Sequence, residues 1–120
     1  MENIEETLAR LVNNVPGAAM AALLGLDGVG VQMALGEGWQ DTGQEAIEIE
    51  LAALAAAVQK TAQRLQAGLS PEFFLSTAQS NFLGAMVDSS YFLILGMDPG
   101  GDLERAGEAL GEAREALVGA

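Results

Sequence analysis

The chain has 120 residues, half of them hydrophobic, and 17 acids against 5 bases leave it with a formal charge of −12. That apolar content excludes disorder, the length suits one domain, and the acidity excludes an electrostatic footprint for nucleic acid or an anionic bilayer. With no Cys and no His, disulfides, thiolate sites and imidazole-based acid–base chemistry are excluded as well.

Residues 3–14 are predicted to form an amphipathic helix. Ile4, Leu8, Leu11, Val12 and Val15 recur at helical spacing, Asn3 suits the N-cap, and Glu5 and Glu6 sit at the positive end of the dipole. Asn14, Pro16 and Gly17 stop it, and Pro16 biases Val15 toward extended backbone. Two strands follow over 19–27 and 29–35, joined at Asp27-Gly28, a pair suited to a tight hairpin. Their alternation is weak, which points to burial on most of both faces. A loop over 36–43 carries Trp39, the sole tryptophan.

Residues 44–67 read as the long helix, with Ile47, Leu51, Leu54, Val58 and Leu65 on one stripe and alanines around it. Asp41 or Thr42 is placed to cap its start, and Gly68 to close its end. Ile49, Ala53 and Ala56 widen the apolar zone beyond what one side of a sheet covers, and a copy of the same helix is the simplest partner for that width. Ile49, Ala52, Ala53, Ala56 and Lys60 are therefore assigned to a dimer interface.

Three short strands are predicted over 72–78, 81–87 and 90–97, separated by turn-rich 79–81 and 88–90, as an antiparallel meander. Asp98-Pro99-Gly100-Gly101 is a turn, and Asp102 caps a last helix with Leu103, Ala106, Leu110, Ala113 and Leu117 on one face. Gly107 and Gly111 weaken that helix by about 1 kcal/mol each relative to Ala. The fold class is α/β (α+β): one domain over 1–120, ordered α-β-β-α-β-β-β-α, with a five-stranded mostly antiparallel sheet packed against helices.

Three stretches together resemble the Roadblock/LC7 family, along nearly the whole chain. They are Val15-Pro16-Gly17-Ala18-Ala19 leading into a strand and Asp27-Gly28, the run Leu51-Ala52-Ala53-Leu54-Ala55-Ala56-Ala57, and the strands 81–87 and 90–97 with the closing helix. The resemblance implies a homodimer in which the long helices pair and the sheets join edge to edge. It also implies that the dimer binds a small Ras-like GTPase, as activator or scaffold, in the manner of bacterial gliding and polarity regulators. Almost nothing extends beyond the core, so a C-terminal extension making further GTPase contacts is not expected.

No residue pattern supports catalysis, a metal or a cofactor. The glycines at 25, 28, 30, 36, 38 and 43 match neither phosphate-binding spacing, and no Lys lies near them. The serines lack an imidazole to activate them. Glu45 and Glu48 read as a solvated helix face, and Asp98 and Asp102 lack EF-hand spacing. Arg10, Arg64, Arg105 and Arg114 all fall within predicted helices, not in hinged loops that could deliver a finger to a GTPase.

Three residues are assigned to partner binding: Trp39, Lys60 and Arg64. Trp39 is either a lid on the core or an exposed anchor. Lys60 and Arg64 meet an acidic partner, meet the other subunit's Glu45 or Glu48, or are plain surface. The expected function is a non-enzymatic dimeric regulator or scaffold for a small Ras-like GTPase. The alternative is an assembly subunit with no GTPase partner, and a small-molecule sensor is weakest because no polar groups converge within the apolar stretches. An acidic start at Glu5 and Glu6, and no uncharged apolar run of about 18 residues, lead to an expected cytoplasmic location without membrane insertion.

Overall fold

The computed structural model describes residues 3–27, 30–39, 43–68 and 71–118. The elements are α1 (Ile4–Asn14), β1 (Ala18–Gly25), β2 (Gly30–Leu35), a single 3-10 turn (Glu37–Trp39), α2 (Gln44–Arg64), β3 (Glu72–Ser76), β4 (Asn81–Met86), β5 (Tyr91–Met97) and α3 (Leu103–Leu117). All strand pairs are antiparallel, in the order β2-β1-β5-β4-β3. The α-β-β-α-β-β-β-α order and the C-terminal meander follow the sequence pattern, and the sheet is antiparallel throughout. Gly28, Asp41 and Thr42, expected as a hairpin turn and helix caps, lie outside the described residues.

Two cores form on the two faces of the sheet. On one, α1 and α3 bring Leu8, Leu11, Ala106, Leu110 and Leu117 against Ala21, Leu23, Leu93, Leu95 and Met97. On the other, α2 brings Ile47, Leu51 and Ala55 against Met20, Ala22, Leu24, Phe92 and Ile94. The period-2 alternation of β1 and β5 thus divides between two cores, and both strands are apolar on both faces because both faces are covered. β2 differs from the sequence expectation. It is an edge strand, only partly buried, since nothing pairs with it beyond β1.

Local chemistry sets the ends of the elements. Asn3 Oδ1 accepts from the Glu6 N–H at 3.3 Å, and Asp102 Oδ1 accepts from the Arg105 N–H at 3.0 Å. Val15 is extended, as the following proline requires. α2 stops earlier than Gly68 would dictate. Ala67 N–H donates to Ala62 O at 2.9 Å and Gln66 N–H to Gln63 O at 3.1 Å, the paired closure of a Schellman motif, with Gln66 in the left-handed region at φ 53°.

The turn before β1 is laced to the turn after β5. Asp98 N–H donates to Gly17 O at 2.8 Å and Asp102 N–H to Pro16 O at 3.0 Å. Gly17, at φ +87°, approaches so closely that a Cβ there would stand 2.3 Å from Gly101 Cα. Arg114 Nε donates to Met86 O at 2.6 Å and fastens α3 to the end of β4.

Glycine positions give opposite predictions. A Cβ at Gly107 or Gly111 meets nothing within 4 Å, so Gly107→Ala and Gly111→Ala are each expected to stabilise by about 1 kcal/mol, raising Tm by about 3–6 °C. Gln66→Gly relieves the left-handed strain and shifts Tm upward by a similar amount. Gly17→Ala lowers it steeply, because both φ and the Gly101 backbone forbid the side chain. Calorimetry at one protein concentration checks all four.

Candidate functional site

α2 spans about 30 Å and buries Ile47, Leu51 and Ala55 against the sheet. Its flank toward β3 is left open. Two hollows of about 480 Å³ each lie between the helix and the β3–β4 hairpin, and together they run along most of α2. The first is walled by Ala46, Glu50 and Leu54 of the helix, with Trp39, Leu75 and Phe82 opposite. The second is walled by Ala57, Thr61 and Leu65, with Pro71 and Glu72 opposite.

β3 borders this groove and is the end strand of the sheet. Four of its five residues are exposed, including Phe74 at 54% and Leu75 at 41%. Edge strands of soluble proteins are usually blunted by lysines, prolines or bulges. Within Glu72–Ser76 the only charge is Glu72, and the register with β4 runs unbroken from Glu72↔Ala85 to Ser76↔Asn81. The outer backbone edge of β3 is a template for another strand.

The residues assigned from sequence fall in different places. Ile49 (56% exposed), Ala53 and Lys60 are exposed, and with half-buried Ala56 they form an outward ridge along α2. Ala52 does not join it, being buried at 3% exposure. Lys60 and Arg64 are exposed near the C-terminal end of the helix. Trp39 is half-buried, packed against the α2-side core, and edge-on to Phe82 with ring centroids 5.9 Å apart. It forms one wall of the first hollow. Glu48 lies over Gly30 of β2 and accepts from Gln44 Nε2 at 3.1 Å, so it faces its own sheet.

The flank residues Leu54, Ala57, Thr61 and Leu65, and the edge residues Phe74 and Leu75, were not assigned from sequence to a dimer or partner surface. Leu54 and Leu65 belong to the same 3.6-residue stripe as the core positions, and periodicity does not tell which side of a stripe the sheet fails to cover. The arginines are engaged elsewhere or lie on helix surface. Arg114 holds Met86 O, and Arg105 lies 3.6 Å from Glu108 and 3.8 Å from Glu112. Arg10 and Arg105 flank a small cleft of about 70 Å³ between α1 and α3.

Among the described residues no group of three or more Asp or Glu side chains is placed to hold a metal ion. No helix among them is long and apolar enough to cross a membrane.

An antiparallel five-stranded sheet with one long helix on one face and two helices on the other is the Roadblock/LC7 fold, and this chain has it. Myxococcus xanthus MglB superposes with a TM-score of 0.85 at 20% identity, over 96% of this chain and 91% of that one. A Roadblock/LC7 domain from Streptomyces avermitilis gives 0.78 at 16% identity, over 97% and 95%. The gliding protein MglB from Thermus thermophilus gives 0.76 at 19% identity, over 98% and 90%. At these identities the likeness is one of fold. No family model and no curated protein matches the sequence.

The sole tryptophan makes the first hollow directly observable. Phe82→Ala removes the edge contact to Trp39 and enlarges the hollow. It is expected to red-shift Trp39 emission and to cost about 2–3 kcal/mol of stability, at or below the core range because Phe82 is only half-buried. Urea unfolding followed by intrinsic fluorescence reads both.

Proposed function

We propose that this chain is a non-enzymatic, cytoplasmic homodimer that binds a small Ras-like GTPase and regulates or scaffolds it. The observation that carries the reading is the open β3 edge lying beside the groove along α2. A second copy satisfies both at once. Strand addition pairs the unpaired backbone of β3, and a helix laid in the groove covers Leu54, Leu65 and Leu75.

The GTPase partner is supported by the Roadblock/LC7 fold together with the family resemblance of the sequence. The apolar ridge Ile49, Ala53 and Ala56, with Lys60 at its end, remains outward-facing beside the groove and offers a surface for a third chain. None of the arginines projects from a described loop, so any effect on GTP hydrolysis would come from reshaping the GTPase's own loops through contact.

Size-exclusion chromatography with light scattering tests the proposal. The chain alone is expected to run at about twice its 12.4 kDa mass, and Phe74→Asp or Leu75→Asp to shift it toward monomer. Mixed with the Ras-like GTPase encoded nearest to it, the dimer is expected to co-elute with the form bearing a non-hydrolysable GTP analogue and not with the GDP form. A dimer indifferent to both forms would assign it instead to structural assembly.

A further inference from the structure

The face that α1 and α3 share is also uncovered at its β3 end. α3 seats over β4 and β5, and a hollow of about 320 Å³ remains between it and β3. Glu72 and Phe74 form the outer floor, with Ala85 and Leu83 opposite them in register on β4. The alternate residue Phe73 turns to the α2 face. Gly107, Leu110 and Gly111 of α3 form the wall. Phe74 is 54% exposed, so this floor is an apolar surface that the chain does not cover itself.

On this side α3 allows close approach. Leu103, Gly107, Gly111 and Val118 fall about a quarter-turn from the buried stripe of Ala106, Leu110, Ala113 and Leu117. Leu103 and Val118 are exposed. Glycine inside a helix costs stability, and a Cβ at Gly107 or Gly111 meets nothing within 4 Å, so no described residue requires either of them. What they provide is bare backbone, against which a second helix closes to about 8 Å. From the line between β4 and β5 to β3 is about 7 Å. A helix closed onto the glycines therefore lies along β3, over Phe74.

The rim is acidic. Glu104 and Glu115 follow the crest of α3, Glu72 stands on the opposite bank, and all three are exposed. None of them has an ion pair among the described residues. Arg114, the base on this side of α3, is engaged with Met86 O.

We propose that this trough docks an amphipathic helix of another protein, with its apolar stripe on Phe74, Leu83 and the two glycines and its flanking lysines or arginines on Glu72, Glu104 and Glu115. The charge selects that occupant. A second copy of this chain fits poorly, because α1, α2 and α3 each carry more acids than bases. The trough lies on the sheet face opposite the α2 groove, so it does not depend on the chain pairing with itself.

An amphipathic leucine–lysine peptide as long as α3, labelled with fluorescein, is the probe, and anisotropy reads its binding to the full chain. Saturable binding is expected. Gly107→Gln/Gly111→Gln fills the wall with uncharged side chains where a Cβ has room, and is expected to weaken binding at least about tenfold without lowering Tm. Glu72→Gln/Glu115→Gln is expected to weaken it about fivefold. Glu5→Gln/Glu6→Gln, the same change of charge on exposed α1 positions, is expected to leave it within about twofold. Absence of saturable binding overturns the proposal. So does binding that Gly107→Gln/Gly111→Gln leaves unchanged, or that both charge pairs weaken equally, which is unspecific attraction to an acidic chain. If Gly107→Gln/Gly111→Gln lowers the chain's own mass in light scattering, a second copy fills the trough, and the proposal falls as well.

Discussion

The structure depends on two central strands, β1 and β5, paired to one another and buried on both faces. Their side chains alternate between Met20, Ala22, Leu24, Phe92 and Ile94 on one side and Ala21, Leu23, Leu93, Leu95 and Met97 on the other. Such strands are stable only if both faces are shielded from water, so helices are required on both sides. The chain supplies them unequally. α1 and α3 share one face, and α2 alone serves the other. Five strands span roughly 20 Å across, whereas one helix covers about 10 Å. A helix seated over β1 and β2 therefore leaves the β3 side of its face bare, and the groove is the direct result.

The two-helix face is held by specific bonds as well as by packing. The turns around Pro16-Gly17 and residues 98–102 exchange backbone hydrogen bonds, and Arg114 ties α3 to the end of β4. On the opposite face, the ring of Phe73 lies where a Cβ at Gly84 would fall and stacks on Phe92 at 5.8 Å, so even the uncovered strands have a defined floor. A firm platform on one side and an open, apolar groove on the other is an arrangement suited to binding another protein. Among the described residues no group of three or more acids is placed to hold a metal ion, and the sequence has neither His nor Cys.

Acidity shapes what can approach. With a charge of −12, two copies repel one another at long range, so a homodimer would have to be held by apolar burial and by attraction at specific points. α2 holds two of the five bases, Lys60 and Arg64. Both are exposed near the C-terminal end of the helix.

The order of elements was legible in the sequence, with most boundaries within one or two residues, because helix periodicity, caps and turns are local properties. Asn3, Asp102 and Pro16 act in the structure through the bonds and dihedral limits that their chemistry dictates. The end of α2 was less legible, since Gln66 takes a left-handed conformation that a glycine normally advertises. An apolar excess on α2 was also visible at Ile49, Ala53 and Ala56, of which the first two are exposed and the third is half-buried. Its direction was not. Ala52 is buried, while Leu54 and Leu65 turn to the groove, because which side of a stripe meets the sheet depends on where the helix crosses it. Nor could the sequence mark β3 as an end strand with Phe74 and Leu75 uncovered, since strand order is settled by pairing between segments far apart in the chain. Local pattern determined the parts and their order. Only the tertiary structure decided which surfaces one helix, narrower than the sheet it covers, leaves open.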